Sequence, residues 1–149
     1  MGPDRIEREI DVDAPVERVW DVLTRAEHIG SWFGDAGAEV ELRPGGAMVI
    51  RWAEHGSYRA VVERVERPRL FAWRWTHATD TDPRPGNSTL VEFVLDPNES
   101  GGTRLRVVES GFQSLEGTDE YRARRAGENH HGWREELEHL VEYAGRVAA

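Results

Sequence analysis

At 149 residues the chain has the length of one ordinary domain, enough to bury a core. A hydrophobic fraction of 38% beside a charged fraction of 32% describes a globular, strongly hydrated chain rather than a disordered one. The net charge of −9, with arginines interleaved among the acids, argues against a nucleic-acid duplex or an anionic membrane surface as partner, and the absence of cysteine excludes disulfides, thiol catalysis and cysteine-held metals.

The segment from Met1 to Ile10 is charged and carries no apolar stretch, so no secretory signal is expected. Gly2 lacks the following Ser or Thr of a myristoylation signal. No apolar run reaches membrane-spanning length, and a cytoplasmic location is the expectation. Arg5–Val12 alternates Ile6, Ile10 and Val12 as a strand does. Asp13-Ala14-Pro15 then predicts a helix start, with the acid as cap. Val16, Val19, Trp20 and Leu23 make an apolar stripe on that helix, and Trp20 is expected to be structural. Ala26–Phe33 reads as a second short helical turn ending in two aromatics.

The middle of the chain predicts strands over Ala38–Leu42, Ala47–Ala53, Ser57–Glu66, Leu70–His77, Ser88–Leu95 and Thr103–Glu109. Gly45-Gly46 and Gly101-Gly102 fit tight turns between them. The proline-rich loop Asp80–Asn87 is long for a hairpin and reads as a lid or a plain surface loop. From Asp119 onward Ala126, His130, Trp133, Leu137, Leu140 and Ala144 recur every three or four residues, the pattern of a long amphipathic helix. Gly127 and Gly132 weaken its first half, where a kink or a division into two segments is expected, and Glu135, Glu136, Glu138 and Glu142 lie off the stripe. An α+β fold follows: a curved antiparallel sheet of about six or seven strands around the C-terminal helix, with two short helices after the first strand.

The segments DAPVERVWDVLT, the later WF, RPGGAM, VERVERPRLFAWRW, GGTRLRVVESGF and GWREELEHL resemble the Hsp-90 ATPase activator homologue family. That family is a branch of the START-like, Bet v 1-like helix-grip superfamily. The resemblance spans almost the entire chain and implies one domain over residues 1–149. It implies the fold more firmly than the function, because the superfamily includes lipid and hormone binders, polyketide aromatases and cyclases, and self-resistance proteins. The chain lacks the separate N-terminal domain of the co-chaperones, so chaperone activation is not expected.

Alternation places Phe71, Trp73 and Trp75 on one inner face, with Tyr58, Ala60 and Val62, with Val91, Phe93 and Leu95, and with Leu105, Val107 and Glu109; the Trp52 face of its strand is preferred as inner. Trp32, Phe33, Trp52, Tyr58, Trp73, Trp75, Phe93, Phe112 and Trp133 are therefore candidate walls of an apolar cavity, and equally candidate core. His77, Glu109, His130 and Tyr58 could project polar groups into it, and Glu109, His77 and Tyr58 are the weak candidates for acid–base catalysis. His130 and His131 point about 100° apart on a helix and cannot easily share an ion. Asp80, Asp82 and Asn87 lack calcium-loop spacing, so neither metal nor cofactor is expected.

The leading expectation is binding, sequestration or self-resistance toward a hydrophobic, aromatic or polycyclic small molecule, by a monomer or weak homodimer. A cyclase- or aromatase-like enzyme acting on a polyketide-type substrate is the first alternative. A protein-interaction module presenting an exposed Trp32–Phe33 end is the second.

Overall fold

The computed structural model describes residues 3–148; Met1, Gly2 and Ala149, and with them the acylation position, lie outside the described residues. The elements run β1 (Arg5–Val12), α1 (Val16–Thr24), α2 (Ala26–His28), a π-helical turn (Ile29–Phe33), β2 (Ala38–Val40), β3 (Ala47–Trp52), β4 (Gly56–Glu66), β5 (Leu70–Thr76), β6 (Ser88–Pro97), β7 (Thr103–Ser110), a 3₁₀ turn (Phe112–Ser114) and α3 (Asp119–Ala148). The fold is α+β, a seven-stranded sheet in the order β1-β7-β6-β5-β4-β3-β2. Each neighbouring pair is antiparallel.

One face of this sheet carries the core. Phe71 and Trp73 on β5, Val91, Phe93 and Leu95 on β6, and Leu105 on β7 are fully buried, as alternation requires. On β4, Val62 and Val65 are three residues apart and would face opposite ways in a regular strand. The register shifts between Val62 and Arg64, so Val62 pairs with Trp73 and Val65 with Phe71. This bulge returns both valines to the inner face.

Helix α3 covers that face with Ala126, Trp133, Leu137, Leu140 and Ala144, all buried. It runs as one helix through Gly127 and Gly132, not as the two segments that the glycines left open. Each glycine costs about 1 kcal/mol relative to alanine. Burying a large apolar side chain contributes about 1.5–3 kcal/mol, so Trp133, Leu137 and Leu140 together outweigh both glycines.

Two local details differ from the sequence reading. Helix α1 is capped at Pro15 with no side-chain bond. The Pro15 carbonyl accepts from the N–H groups of Arg18 and Val19 at 2.9 and 3.1 Å. Asp13 stands two positions too early for its carboxylate to serve the first turn. The second helical segment widens into a π turn, closed by Gly34 N–H on the Ile29 carbonyl at 2.9 Å. The wide turn buries both Trp32 and Phe33, at 2% and 5% exposure, so the exposed Trp32–Phe33 end expected from sequence is not found. Gly30 lets this turn press on the chain entering β2, where a Cβ would stand 2.8 Å from the Gly37 Cα.

The Asp80–Asn87 loop is tied down by Arg59 to Asp82 at 3.1 Å and Arg84 to Glu116 at 3.0 Å. Pro83, Arg84 and Pro85 border a depression with Val61, Arg74 and Leu90, on the side of the sheet away from α3, so the loop is no lid over the helix side. Among the described residues no helix is long and apolar enough to cross a membrane.

Candidate functional site

Where the ends of β3, β4 and β5 meet the first half of α3, helix and sheet part to leave a pocket of about 340 Å³. Trp52 closes β3, Tyr58 comes from β4, and Trp75 with Thr76 ends β5. Phe33 reaches in from the π turn and Trp133 from α3. The five rings form one continuous assembly. Phe33 is its hub, stacked on Trp133 (centroids 5.1 Å, 6° between planes) and on Trp75 (5.6 Å, 30°), with the edge of Trp52 at 5.0 Å. Tyr58 meets Trp52 edge-on at 5.7 Å. Offset and edge contacts of this kind add about 0.5–1.5 kcal/mol each beyond burial. The rim is polar, with His55 and Glu128 exposed at the opening.

Behind the rings lies Glu109, fully buried on β7. Its carboxylate accepts from Trp75 Nε1 at 2.8 Å, Trp133 Nε1 at 2.9 Å, Thr89 Oγ1 at 2.5 Å and Asn129 Nδ2 at 3.1 Å to each oxygen. Indole and amide N–H groups only donate, so these bonds occupy the carboxylate as an acceptor on both oxygens. Glu109 is thereby a positioning residue that fixes two wall indoles at once.

His77 continues this network. The single Thr89 hydroxyl hydrogen goes to Glu109, so Thr89 Oγ1 accepts from His77 Nε2, 2.9 Å away. The proton of a neutral His77 therefore sits on Nε2. Burial pushes the imidazole below its ordinary value of 6.5; Arg125 acts the same way and Glu109 opposes both.

Helix α3 supplies the remaining wall through Arg125, Glu128, Asn129, Gly132 and Glu136. Arg125 pairs with Glu128, so their charges offset one another. Glu136 differs. One oxygen meets His139 Nδ1 at 3.1 Å, while Oε2 is buried with no hydrogen-bond partner. Burial raises its carboxyl to about 8, and the acids Glu135 and Asp35 add to the effect. The sequence placed this acid off the apolar stripe and gave it no role.

Of the residues read from sequence, Phe33, Trp52, Tyr58, Trp75, Trp133 and His77 line the pocket. Glu109 lies directly behind it. Trp73 and Phe93 are not wall but core: both are fully buried, 5.0 Å apart, beneath Phe33 and Trp133. Trp32 is buried and donates its indole N–H to the Val22 carbonyl at 2.9 Å, bordering a separate cleft with Tyr143. Phe112 is fully buried against the edge of His77. His130 is half-buried outside the lining, on the turn whose carbonyl accepts from Arg8 Nε at 3.1 Å. Trp20 is a core residue against Phe71, as expected. The sequence reading missed His55, Thr76, Arg125, Asn129, Gly132 and Glu136, and considered Glu128 only beside His130 and His131. A signal was present, because 125, 129, 132 and 136 follow helical spacing one step around from the apolar stripe. Among the described residues no cluster of three or more His, Asp or Glu side chains is placed to hold a metal.

The model of a family described as Activator of Hsp90 ATPase homolog 1-like protein matches residues 13–145. Among solved structures, protein MLL2253 from Mesorhizobium loti is 24% identical, with a TM-score of 0.78 over 97% of this chain and 99% of that one. DynU16, from the dynemicin biosynthetic locus, is 20% identical with a TM-score of 0.76, over 98% of this chain and 49% of its own. CalU16 from Micromonospora echinospora is 25% identical with a TM-score of 0.70, over 94% and 75% respectively. No curated protein matches the sequence.

Proposed function

Because the chain belongs to the Activator of Hsp90 ATPase homolog 1-like family, and that fold opens here into an aromatic pocket, we propose that residues 1–149 act as one cytoplasmic domain binding a hydrophobic, aromatic or polycyclic small molecule. The observation that carries this reading is the five-ring wall pinned from behind by Glu109. Preorganised rings lose little freedom when a flat apolar ligand arrives. Holding or sequestering the ligand fits the site better than turning it over. Of the acid–base candidates read from the sequence, Glu109 already accepts hydrogen bonds on both carboxylate oxygens, which gives it a holding role in the wall. The biosynthetic origin of DynU16, a fold relative, agrees with a small-molecule role.

The test exploits Gly132, which lines the pocket and where a Cβ would meet nothing within 4 Å. Polyaromatic probes should quench or shift the tryptophan emission of the native protein. Gly132→Phe should fold normally, fill the pocket and abolish that response. A broad panel without any response, or equal binding by Gly132→Phe, overturns the proposal.

A further inference from the structure

The pocket carries a charge imbalance that its aromatic wall does not explain. Arg125 and Glu128 are paired with each other. Glu136, on the boundary with the neighbouring cleft, keeps a buried carboxyl oxygen without a donor. Two buried polar atoms of the lining lack partners, the Glu136 oxygen as an acceptor and Arg125 Nε as a donor, and of the two side chains only Arg125 has an opposite carboxylate beside it. The Asn129 amide spends its N–H on Glu109, and its oxygen makes no hydrogen bond. The Tyr58 hydroxyl is also unbonded among the described residues. An unpaired buried acceptor among electron-rich rings is complementary to positive charge.

We infer that the pocket takes an organic cation, a protonated or quaternary amine on an aromatic body, with the charge at Glu136 and the body against Trp52, Trp75 and Trp133. This rests on the proposed small-molecule site and names its ligand class. An anion would meet the unpartnered acceptor oxygen of Glu136 here, in a protein whose net charge is −9. Arg125, the cation of the wall, is already bound to Glu128.

Protonation sharpens the test. On α3, Glu136 faces Glu135 and His139, and Asp35 approaches from the segment after the π turn. Across the pocket stand Arg125, Glu128, His55, Tyr58 and His77, and in the cleft Glu142 and Arg146. With its carboxyl raised to about 8, Glu136 is mostly neutral at pH 7. A bound cation must draw off that proton, so affinity rises with pH by about tenfold between pH 7 and 9.

The experiment titrates the native protein calorimetrically with (1-naphthylmethyl)trimethylammonium, its neutral carbon isostere 1-neopentylnaphthalene, and 1-naphthylacetate. The ammonium probe should bind about tenfold or more tightly than the other two. It should release a proton at pH 7, visible as buffer-dependent heat. Glu136→Gln should remove the advantage of the ammonium probe over the neutral one, and the proton release with it. Equal binding of the neutral or anionic probe, or an ammonium affinity untouched in Glu136→Gln, overturns the inference and leaves the small-molecule site standing. Failure of all three probes overturns the inference together with the site.

Discussion

Replacing Glu109 by Gln keeps the shape of the buried side chain and removes one acceptor oxygen. In the less disruptive orientation the amide oxygen still serves Trp75, Thr89 and Asn129. The new amide N–H₂ then faces the indole N–H of Trp133, whose bond to the carboxylate is 2.9 Å long. A buried donor left without an acceptor costs about 1–3 kcal/mol, and the retained bonds weaken from charge-assisted to neutral. A neutral amide is cheaper to bury than a carboxylate, which returns part of that loss. The net expectation is about 2 kcal/mol of destabilisation, a fall in Tm of roughly 4–8 °C for a domain of this size. Urea and thermal unfolding followed by circular dichroism measure it. The same substitution in a Trp133→Phe background should cost about 1 kcal/mol less, because no indole N–H remains to be stranded. A Glu109→Gln protein melting within about 1 °C of the native one, or an identical cost in both backgrounds, refutes the assignment of Glu109 as the group that pins the wall.

His77 should titrate below 6.5 when followed by NMR, since burial disfavours its charged form. With the folded value below the unfolded one, its contribution to stability is complete above about 6.5 and is lost as pH falls from there toward the folded value. His77→Gln should flatten that part of the stability profile; an unchanged profile, or a midpoint at or above 6.5, contradicts the buried neutral imidazole. Gly30→Ala should destabilise by about 1–3 kcal/mol, the cost of forcing a contact into packed backbone, because its Cβ would stand 2.8 Å from Gly37; denaturant midpoints decide it. Gly127→Ala, on an exposed helical position with open space around it, should stabilise by about 1 kcal/mol. An unaltered or lowered midpoint would mean that the helix needs flexibility there.

Alternation and helical spacing carried the fold. Strand β1 was legible to the residue, and the inner faces of β5 and β6 followed from which positions were apolar, whereas β3 offered the Val49, Arg51 and Ala53 face as an alternative to the Trp52 face. The bulge in β4 was legible only in hindsight, from valines three residues apart that must both face inward. The apolar stripe of α3 was visible, but its unbroken course was not: local propensity at Gly127 and Gly132 argued one way, and burial against the sheet decided the other.

The candidate site divides along the same line. By itself the sequence determined which rings face inward, because facing depends on backbone periodicity that neighbouring residues set. It could not separate wall from core. Trp73 and Trp75 share a face of β5, yet Trp73 is fully buried while Trp75 borders open space. That distinction depends on where a helix more than fifty positions further along the chain crosses the strand ends. Nor could it show that Glu109, Trp75, Thr89, Asn129 and Trp133 form one network, since their only common property is position in space. The unpartnered oxygen of Glu136 was hidden for the same reason: solvation is a property of the packed molecule, and a charged residue beside an apolar stripe reads as surface until the chain folds around it.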